Sequence, residues 1–484
     1  MNFSQIVSTV SDWIWGMPFV IFCLATGLYF SLRTRFLQIR YFKQMAIMLV
    51  RGKSSDSGIS SFQAFTLALS GRIGTGNIAG VATALAFGGP GAVFWMWIIA
   101  FFGAGSAFVE STLGQVYKEK IGGNYRGGPA YYILKGLKSK PFAIVFAIVT
   151  VCSLGFLLPG VQSNAIADAF YNSFGMDLRI SAAIVVILLA LIIFGGVRRI
   201  ARVGEIAVPF MAIGYVLVVF IILILNFQQI PAVFSLIIKS AFGVEPAFSG
   251  MLGAAISTGV KRGIFSNEAG QGTGAHAAAA SEVSHPAKQG FVQAFSVYVD
   301  TWLVCSATAF VILISGTYRV YDSMHQVVFS GQAMPESITT YGSAYTQLAV
   351  DAAIPGFGSA FVAIALFLCA FTTIMSYYFQ AETNVYFLFR KEKTAFYMIN
   401  LLRIAVLMVS YFTAVNTMDL AWGMADIGVG MMAWFNLIAI LLLHKKAIRV
   451  FYDYEQQHRA GIKEPVFHPK KLGIENAEIW EEMK

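Results

Sequence analysis

Along this chain the apolar residues run in long blocks, without the alternation of a half-buried strand or the narrow stripe of a surface helix. A helix needs about 20 predominantly apolar residues to cross the hydrocarbon core of a bilayer. Eleven stretches qualify: 13–32, 61–86, 91–117, 141–166, 180–195, 205–225, 247–280, 289–314, 357–387, 396–412 and 419–443. The pattern predicts an all-α polytopic membrane protein with 11 transmembrane helices, one leading helix and then ten core helices. The leading stretch does not read as a cleavable signal peptide. It has no basic residues ahead of it, is too long for a signal h-region and runs into Arg33 and Arg35.

The core helices divide into two sets of five, within 61–225 and 226–443. Five is odd, so the second set enters the membrane from the opposite side, and the two sets form a 5+5 inverted repeat. Residues 1–60 hold the extra N-terminal helix and a basic loop. The tail at 444–484 is expected to be a cytoplasmic helix or a loose end. Charge sets the orientation. With the N-terminus outside, the inside segments (33–60, 118–140, 196–204, 281–288, 388–395 and 444–484) hold 27 Lys and Arg. The outside segments hold three, Arg179, Lys239 and Arg319, and the spans hold Arg72, Lys261, Arg262 and Arg403. Basic residues collect on the cytoplasmic side. The expectation is a multi-pass protein of a bacterial-type plasma membrane, N-terminus outside and C-terminus cytoplasmic.

Composition removes the competing classes. The chain is 57% hydrophobic and 12% charged, half the charge of a soluble protein at about 25%, so it cannot coat soluble domains. Its net charge of +9 is explained by cytoplasmic loops and requires no nucleic acid. Cys23, Cys152, Cys305 and Cys369 lie in apolar runs without paired spacing or a neighbouring His, which supports neither a disulfide framework nor a zinc site. HExxH, GxSxG and GxxxxGK[ST] motifs do not occur, which speaks against a membrane-embedded enzyme and an ATP-driven pump. A channel would normally need repeated filter loops. What remains is a secondary transporter whose partner is the lipid bilayer; nothing in the sequence fixes its oligomeric state.

Two spans read as interrupted. Core helix one carries Ser70-Gly71-Arg72-Ile73-Gly74-Thr75-Gly76-Asn77 in its middle. Each glycine weakens a helix by up to about 1 kcal/mol relative to Ala. Backbone groups freed at 70–77 cannot turn to water in lipid, so such a break survives only where it lines a cavity or packs in protein. A close helix crossing through Gly76 and Gly80 is the other reading. Core helix six is expected to break around 258–274, through Lys261-Arg262-Gly263-Ile264-Phe265-Ser266-Asn267-Glu268-Ala269-Gly270-Gln271-Gly272-Thr273-Gly274; the alternative is a loop between two short helices. Interrupted helices at matching positions of inverted halves point to a transporter with a midplane site. Half-helix N-termini suit an anion such as a carboxylate, and free carbonyls suit a hard cation such as sodium. The expected cargo is a small zwitterion with an ion.

At these residues the chain resembles the alanine or glycine:cation symporter family, within the leucine-transporter-fold superfamily. The resemblance rests on Ser70–Val81, Gly88-Gly89-Pro90-Gly91 with Phe94-Trp95-Met96-Trp97, Gly127-Gly128-Pro129-Ala130-Tyr131-Tyr132, Phe265-Ser266-Asn267-Glu268-Ala269-Gly270 and Phe371-Thr372-Thr373-Ile374. It covers about residue 10 to about 445. It implies symport of a small neutral amino acid (alanine or glycine, with glutamine open) driven by sodium or a proton, with no prosthetic cofactor. By the same resemblance, Gly74, Thr75, Gly76 and Asn77 would hold the carboxylate and amine of the substrate. Gln162, Phe265, Ser266 and Tyr377 would face it. Thr372 and Thr373, with carbonyls near Ser70 and Ile73, would bind one sodium, and Asn77 would serve a second ion position. Arg72 departs from the small residue of the sodium-coupled carriers of this fold and could replace that second ion. Tyr377 stands where many family members have Trp.

The charges at bilayer depth complete the candidate set. Arg72, Arg262, Glu268 and Asp300 each cost about 2.5–3.5 kcal/mol at the bilayer centre if unpaired. Arg72 is expected to meet Glu268 or Asp300 across the two breaks. Asp300 is alternatively an ion ligand, a partner of Arg262 or a polar step near the inner surface. Glu110 reads as a helix-end anchor, and Glu382 sits near the cytoplasmic loop. His276, without a second ligand, reads as an ordinary helix-end histidine before a proton relay. Trp95 and Trp97 read as part of an aromatic belt.

Overall fold

The computed structural model describes residues 3–50, 55, 57–322, 324–338 and 340–482. Arg51 and Lys53 of the expected basic loop, Lys484 of the tail and the side chain of Arg198 lie outside the described residues. The leading span, expected as one helix, is two: α1 (Phe3–Ile14) and α2 (Met17–Arg33), bent by 43°. Gly16 stands at the bend, and Pro18 opens α2 where its missing N–H is harmless. Two short helices, α3 (Leu37–Arg40) and α4 (Phe42–Val50), follow.

α5 (Ser61–Arg72) begins on a capping box: Ser60 Oγ accepts the Gln63 N–H (3.2 Å) and Gln63 Oε1 accepts the Ser60 N–H (3.0 Å). The helix stops at Ile73, and the chain resumes as a π turn, Gly76–Gly80, leading into α6 (Val81–Gly88). Next come α7 (Gly91–Val116), the hairpin of β1 (Glu119–Ile121) and β2 (Asn124–Arg126), and α8 (Pro129–Gly136). α9 (Lys140–Cys152) and α10 (Leu158–Phe174) join through a π turn at Ser153–Leu157 into one 35-residue span. α11 (Leu178–Ile193) and α12 (Val197–Leu225) come next.

The sequence pattern gives no sign of α13 (Ile230–Ala241), which makes a 47° bent pair with α14 (Leu252–Asn267). After a short turn comes α15 (Thr273–Ala279). α16 (Pro286–Val297) passes through a third π turn, Tyr298–Cys305, into α17 (Ser306–Ser315). The hairpin of β3 (Arg319–Tyr321) and β4 (Val327–Ser330) and α18 (Ser343–Ala353) lead to α19 (Gly358–Leu388), α20 (Glu392–Ala414), the 42-residue α21 (Met418–Arg459) and α22 (Glu478–Glu482). Among the described residues, seven helices are long and apolar enough to cross a membrane, or nine if each bent pair is one span.

α7 is the axis of the bundle, packing against α2, α14, α15 and α16. Ala100, Gly103, Ala104 and Ala107 on α7 are fully or almost fully buried, and small residues let neighbouring backbones approach closely. One expectation is corrected here. The tail after His444 is neither a bare helix nor loose. Trp480 is buried and donates its indole N–H to the Gln115 carbonyl (2.9 Å), the Phe467 N–H bonds the Ser284 carbonyl (3.1 Å), and Lys135 pairs with Glu478 (2.7 Å) and Glu119 (3.1 Å). Arg390–Glu119 (2.5 Å) and Lys118 Nζ on the Ser281 carbonyl (3.0 Å) join the other segments to it. Four of the basic segments thus share one face. Trp95 and Trp97, near the start of α7, are half-buried and donate to the Ala241 carbonyl (3.3 Å) and Ser306 Oγ (2.8 Å).

Candidate functional site

The first break occupies Ile73–Thr75. Its two freed N–H groups are held by side-chain amides: Gly74 donates to Asn77 Oδ1 (2.9 Å) and Thr75 to Gln162 Oε1 (3.0 Å), the latter reaching in from α10. Gly74 is required by close approach, because a Cβ there would lie 2.4 Å from Thr373 Oγ1 on α19. Thr373 Oγ1 also stands 3.4 Å from the Ile73 carbonyl. Thr372, one residue earlier, points elsewhere, toward Met211 on α12 (3.8 Å to Sδ). The two hydroxyls are therefore not side by side at the break. Ser70 Oγ is turned back onto the Leu67 carbonyl (2.7 Å).

The second break is narrower than 258–274. Lys261 and Arg262 are helical, and the interruption is confined to Glu268–Gly272. Glu268 adopts a left-handed conformation (φ 56°), and Gly272 (φ 87°) leaves no room for a side chain, since a Cβ would lie 2.3 Å from Pro129 Cγ. This break is closed by a carboxylate. Glu110 Oε2, from α7, accepts the Gly272 N–H (3.0 Å) and an N–H of Asn436 (2.7 Å), while Asn436 also bonds the Gly270 carbonyl (2.9 Å). Glu268 lies beside Thr273 and Tyr377, and Tyr377 beside Gln162. Glu110 thus caps the start of α15, a different helix from its own, whose end it was expected to anchor.

Between the breaks lies Asp300, on the π turn Tyr298–Cys305 and fully buried. It accepts hydrogen bonds from Asn77 Nδ2 (2.6 Å), Ser266 Oγ (3.0 and 3.1 Å) and Thr301 Oγ1 (2.7 Å), so one carboxylate joins both interrupted helices. Among the described residues no basic side chain comes within 4.0 Å of it.

The expected charge pairs are corrected. Arg72 is buried, and its guanidinium bonds the Gln293 carbonyl (3.1 Å) and Ser296 Oγ on α16. Among the described residues no carboxylate lies within ion-pair distance, although Glu268, Glu110 and Asp300 are the charges nearest in effect. Arg262 belongs to Asp426 on α21 in a two-pronged pair (3.0 and 2.8 Å), with Lys261 on the same carboxylate (2.6 Å). Arg262 also lies 4.3 Å over the Trp422 ring, which in turn contacts Phe265 (4.9 Å). Phe265 and Trp422 roof the first break, lying against Gly76 and Gly80. The sequence reading did not include Asp426; a carboxylate well inside the last apolar span, beside an unmatched Lys261-Arg262 pair elsewhere, is the signal that could have found it. Glu382 pairs with Arg126 (2.8 Å), and His276 bonds Asn384 (2.9 Å), both outside the site.

Two discontinuous helices joined at buried polar groups, with their freed backbone capped by protein, define a secondary transporter rather than an enzyme. A solved structure of MhsT in complex with L-phenylalanine shares the fold, with a TM-score of 0.53 at 14% identity over 82% of this chain and 98% of that one. The chain belongs to the sodium:alanine symporter family, whose model matches residues 1–469. It is similar to the sodium/proton-dependent alanine carrier protein of Bacillus sp. (strain PS3), at 50% identity over 90% of this chain and 97% of that protein. It is also similar to the sodium/alanine symporter AgcS of Methanococcus maripaludis, at 36% identity over 92% and 95%. The chain is an amino-acid:cation symporter and a multi-pass membrane protein.

Proposed function

We propose that the protein takes up a small neutral amino acid, alanine or glycine, together with inward-flowing sodium, by alternating access around the first break. One observation carries this reading: the N–H groups of Gly74 and Thr75 open a half-helix inside the protein and are held only by the neutral oxygens of Asn77 and Gln162. A substrate carboxylate can displace such partners and gains the partial positive charge of the helix end. Gly76, Phe265, Ser266 and Tyr377 would bound the side-chain space, with Trp422 closing it. A larger amide such as glutamine would need that roof to open further.

The sodium would sit between Thr373 Oγ1, the Ile73 carbonyl and a carbonyl near Ser70, all neutral oxygens suited to a hard cation. Asp300 with Asn77 is the candidate for a second positive charge, because its carboxylate is buried without a basic partner. Nine spans plus the apolar helices Gly76–Gly88 and Leu178–Ile193 support eleven crossings, and the charge count supports an N-terminus outside and a C-terminus in the cytoplasm of the plasma membrane.

Counterflow in proteoliposomes, with a panel of amino acids in sodium against potassium buffer, tests the proposal. Exchange of alanine or glycine that requires sodium is expected. Undiminished uptake on a pH gradient alone, without sodium, would replace sodium by a proton.

A further inference from the structure

The two faces of the bundle differ in how far they are open. On the face away from the C-terminal tail, a vestibule of about 500 Å³ lies between the ends of α10 and α20 and the start of α21, lined among others by Asn164, Asp168, Tyr341, Asn416 and Asp419. On the tail side, the space at the start of α5, between Ile59, Leu67, Tyr125, Ala280 and Phe379, is only about 30 Å³. Backbone straps the start of α5 down there. The Ile59 N–H donates to the Ala280 carbonyl (3.0 Å), and the Glu282 N–H donates to the Ile59 carbonyl (2.9 Å). α5 leads into the first break, so opening this face means parting these two bonds.

The residues behind this strap also seat the tail. Gln115, at the end of α7, donates its side-chain amide to the carbonyl and hydroxyl of Ser281 (2.9 and 2.8 Å), while its own backbone carbonyl accepts the indole N–H of Trp480 (2.9 Å). Lys118 Nζ bonds the same Ser281 carbonyl (3.0 Å) and lies 5.0 Å from the centre of the Trp480 ring. Further along the loop, the Phe467 N–H donates to the Ser284 carbonyl (3.1 Å) and the Ser284 hydroxyl to the Pro465 carbonyl (2.8 Å). Asn476 Nδ2 donates to the Lys135 carbonyl (3.1 Å) on α8. The tail is thus seated across the ends of α7 and α8 and the loop ahead of α16. Alternating access moves one group of helices against another, and a segment seated across several helix ends resists that motion. The ion pairs of the seat, Lys135–Glu478 and Lys138–Glu475, have exposed partners and contribute little. Buried Trp480, packed edge-on against Phe467 (5.2 Å), is the anchor.

We propose that residues 461–482 form an autoinhibitory latch. Seated, they hold the tail side closed behind Gln115 and Ser281, and opening of that side requires Trp480 to leave its seat. The proposal rests on alternating access as read above, and on neither the substrate nor the ion.

The test is hydrogen–deuterium exchange of the full-length protein without substrate, set beside uptake rates in proteoliposomes. Trp480→Ala should unseat the tail, seen as faster exchange across 472–482. The amides of Ile59 and of 278–284 should then exchange about fivefold faster, the worth of the one hydrogen bond removed. The maximal rate of amino-acid uptake should rise by up to the same factor. Trp480→Phe keeps a ring against Phe467 and Lys118 and should lie between the parent and Trp480→Ala. A chain ending at Ile462 lacks the latch outright and should match or exceed Trp480→Ala. An unseated or absent tail with Ile59 and 278–284 still exchanging at the parent's rate would overturn the latch. Unchanged or slower uptake by the unseated protein would overturn it equally. Failure of the symport reading would show separately, as no sodium-dependent uptake by any variant, and the exchange data would then decide the latch by themselves.

Discussion

The two interrupted helices meet the same demand, satisfying freed backbone groups inside a membrane, with opposite chemistry. At the first, Gly74 and Thr75 donate to neutral amide oxygens at 2.9 and 3.0 Å. At the second, the Gly272 N–H that opens α15 donates to the carboxylate of Glu110 at 3.0 Å, with Glu268 beside Thr273. A helix N-terminus attracts negative charge. Where the protein supplies that charge itself, the break is finished and structural; where it supplies only exchangeable neutral oxygens, the break is left open to a carboxylate from outside. An interrupted helix is therefore a site only when its cap is weaker than the ligand that would replace it.

The sharpest way to break this contrast is Glu110→Ala. It leaves the Gly272 and Asn436 donors unpaired, each at about 1–3 kcal/mol, so the melting transition in detergent should fall by an amount corresponding to about 2–6 kcal/mol. The KM of the surviving folded protein should stay near that of the parent. A raised KM with unchanged melting would make the second break part of the binding site.

Asn77→Ala should act the other way. Asn77 connects the Gly74 N–H to Asp300, and its loss should raise the KM for amino acid or the sodium requirement by about tenfold, the equivalent of about 1.4 kcal/mol. Collapse of expression would mark the residue as structural. Thr373→Ala and Thr372→Ala then separate two neighbours: only Thr373 faces the Ile73 carbonyl, so its loss should raise the half-saturating sodium concentration by about tenfold. Equal effects of both substitutions would move the ion away from the break. The smallest expected change is for Gln162→Ala, which removes one hydrogen bond of about 1 kcal/mol from Thr75. Its KM should fall by about fivefold, because the carboxylate no longer displaces that bond, and the melting temperature should drop slightly.

The sequence alone determined the membrane class and the existence of both breaks. These depend on local properties: apolar length against bilayer thickness, and glycines that weaken a helix wherever it runs. The first break lies inside 70–77 as read, because Gly74 sits at its centre. The second was read too wide, since Lys261 and Arg262 look loop-like by charge but are helical once Asp426 neutralises them at 2.6 to 3.0 Å. The bend at Gly16 was hidden inside one apolar run, and α13 inside a segment taken as connection. The tail was read as unattached, because no local pattern reveals that Trp480 is received by the Gln115 carbonyl.

Only the tertiary structure decided who meets whom. Arg72 was expected to meet Glu268 or Asp300 and instead bonds the Gln293 carbonyl at 3.1 Å, while Asp300 is shared by Asn77, Ser266 and Thr301. Thr372 and Thr373 are adjacent in sequence, yet one faces Met211 and the other the break. Hydropathy fixes how deep a residue lies but not the direction in which its helix turns it, and side chains interact only when depth and direction both agree. Direction is set by how neighbouring helices pack against one another, and that is a property of the assembled bundle.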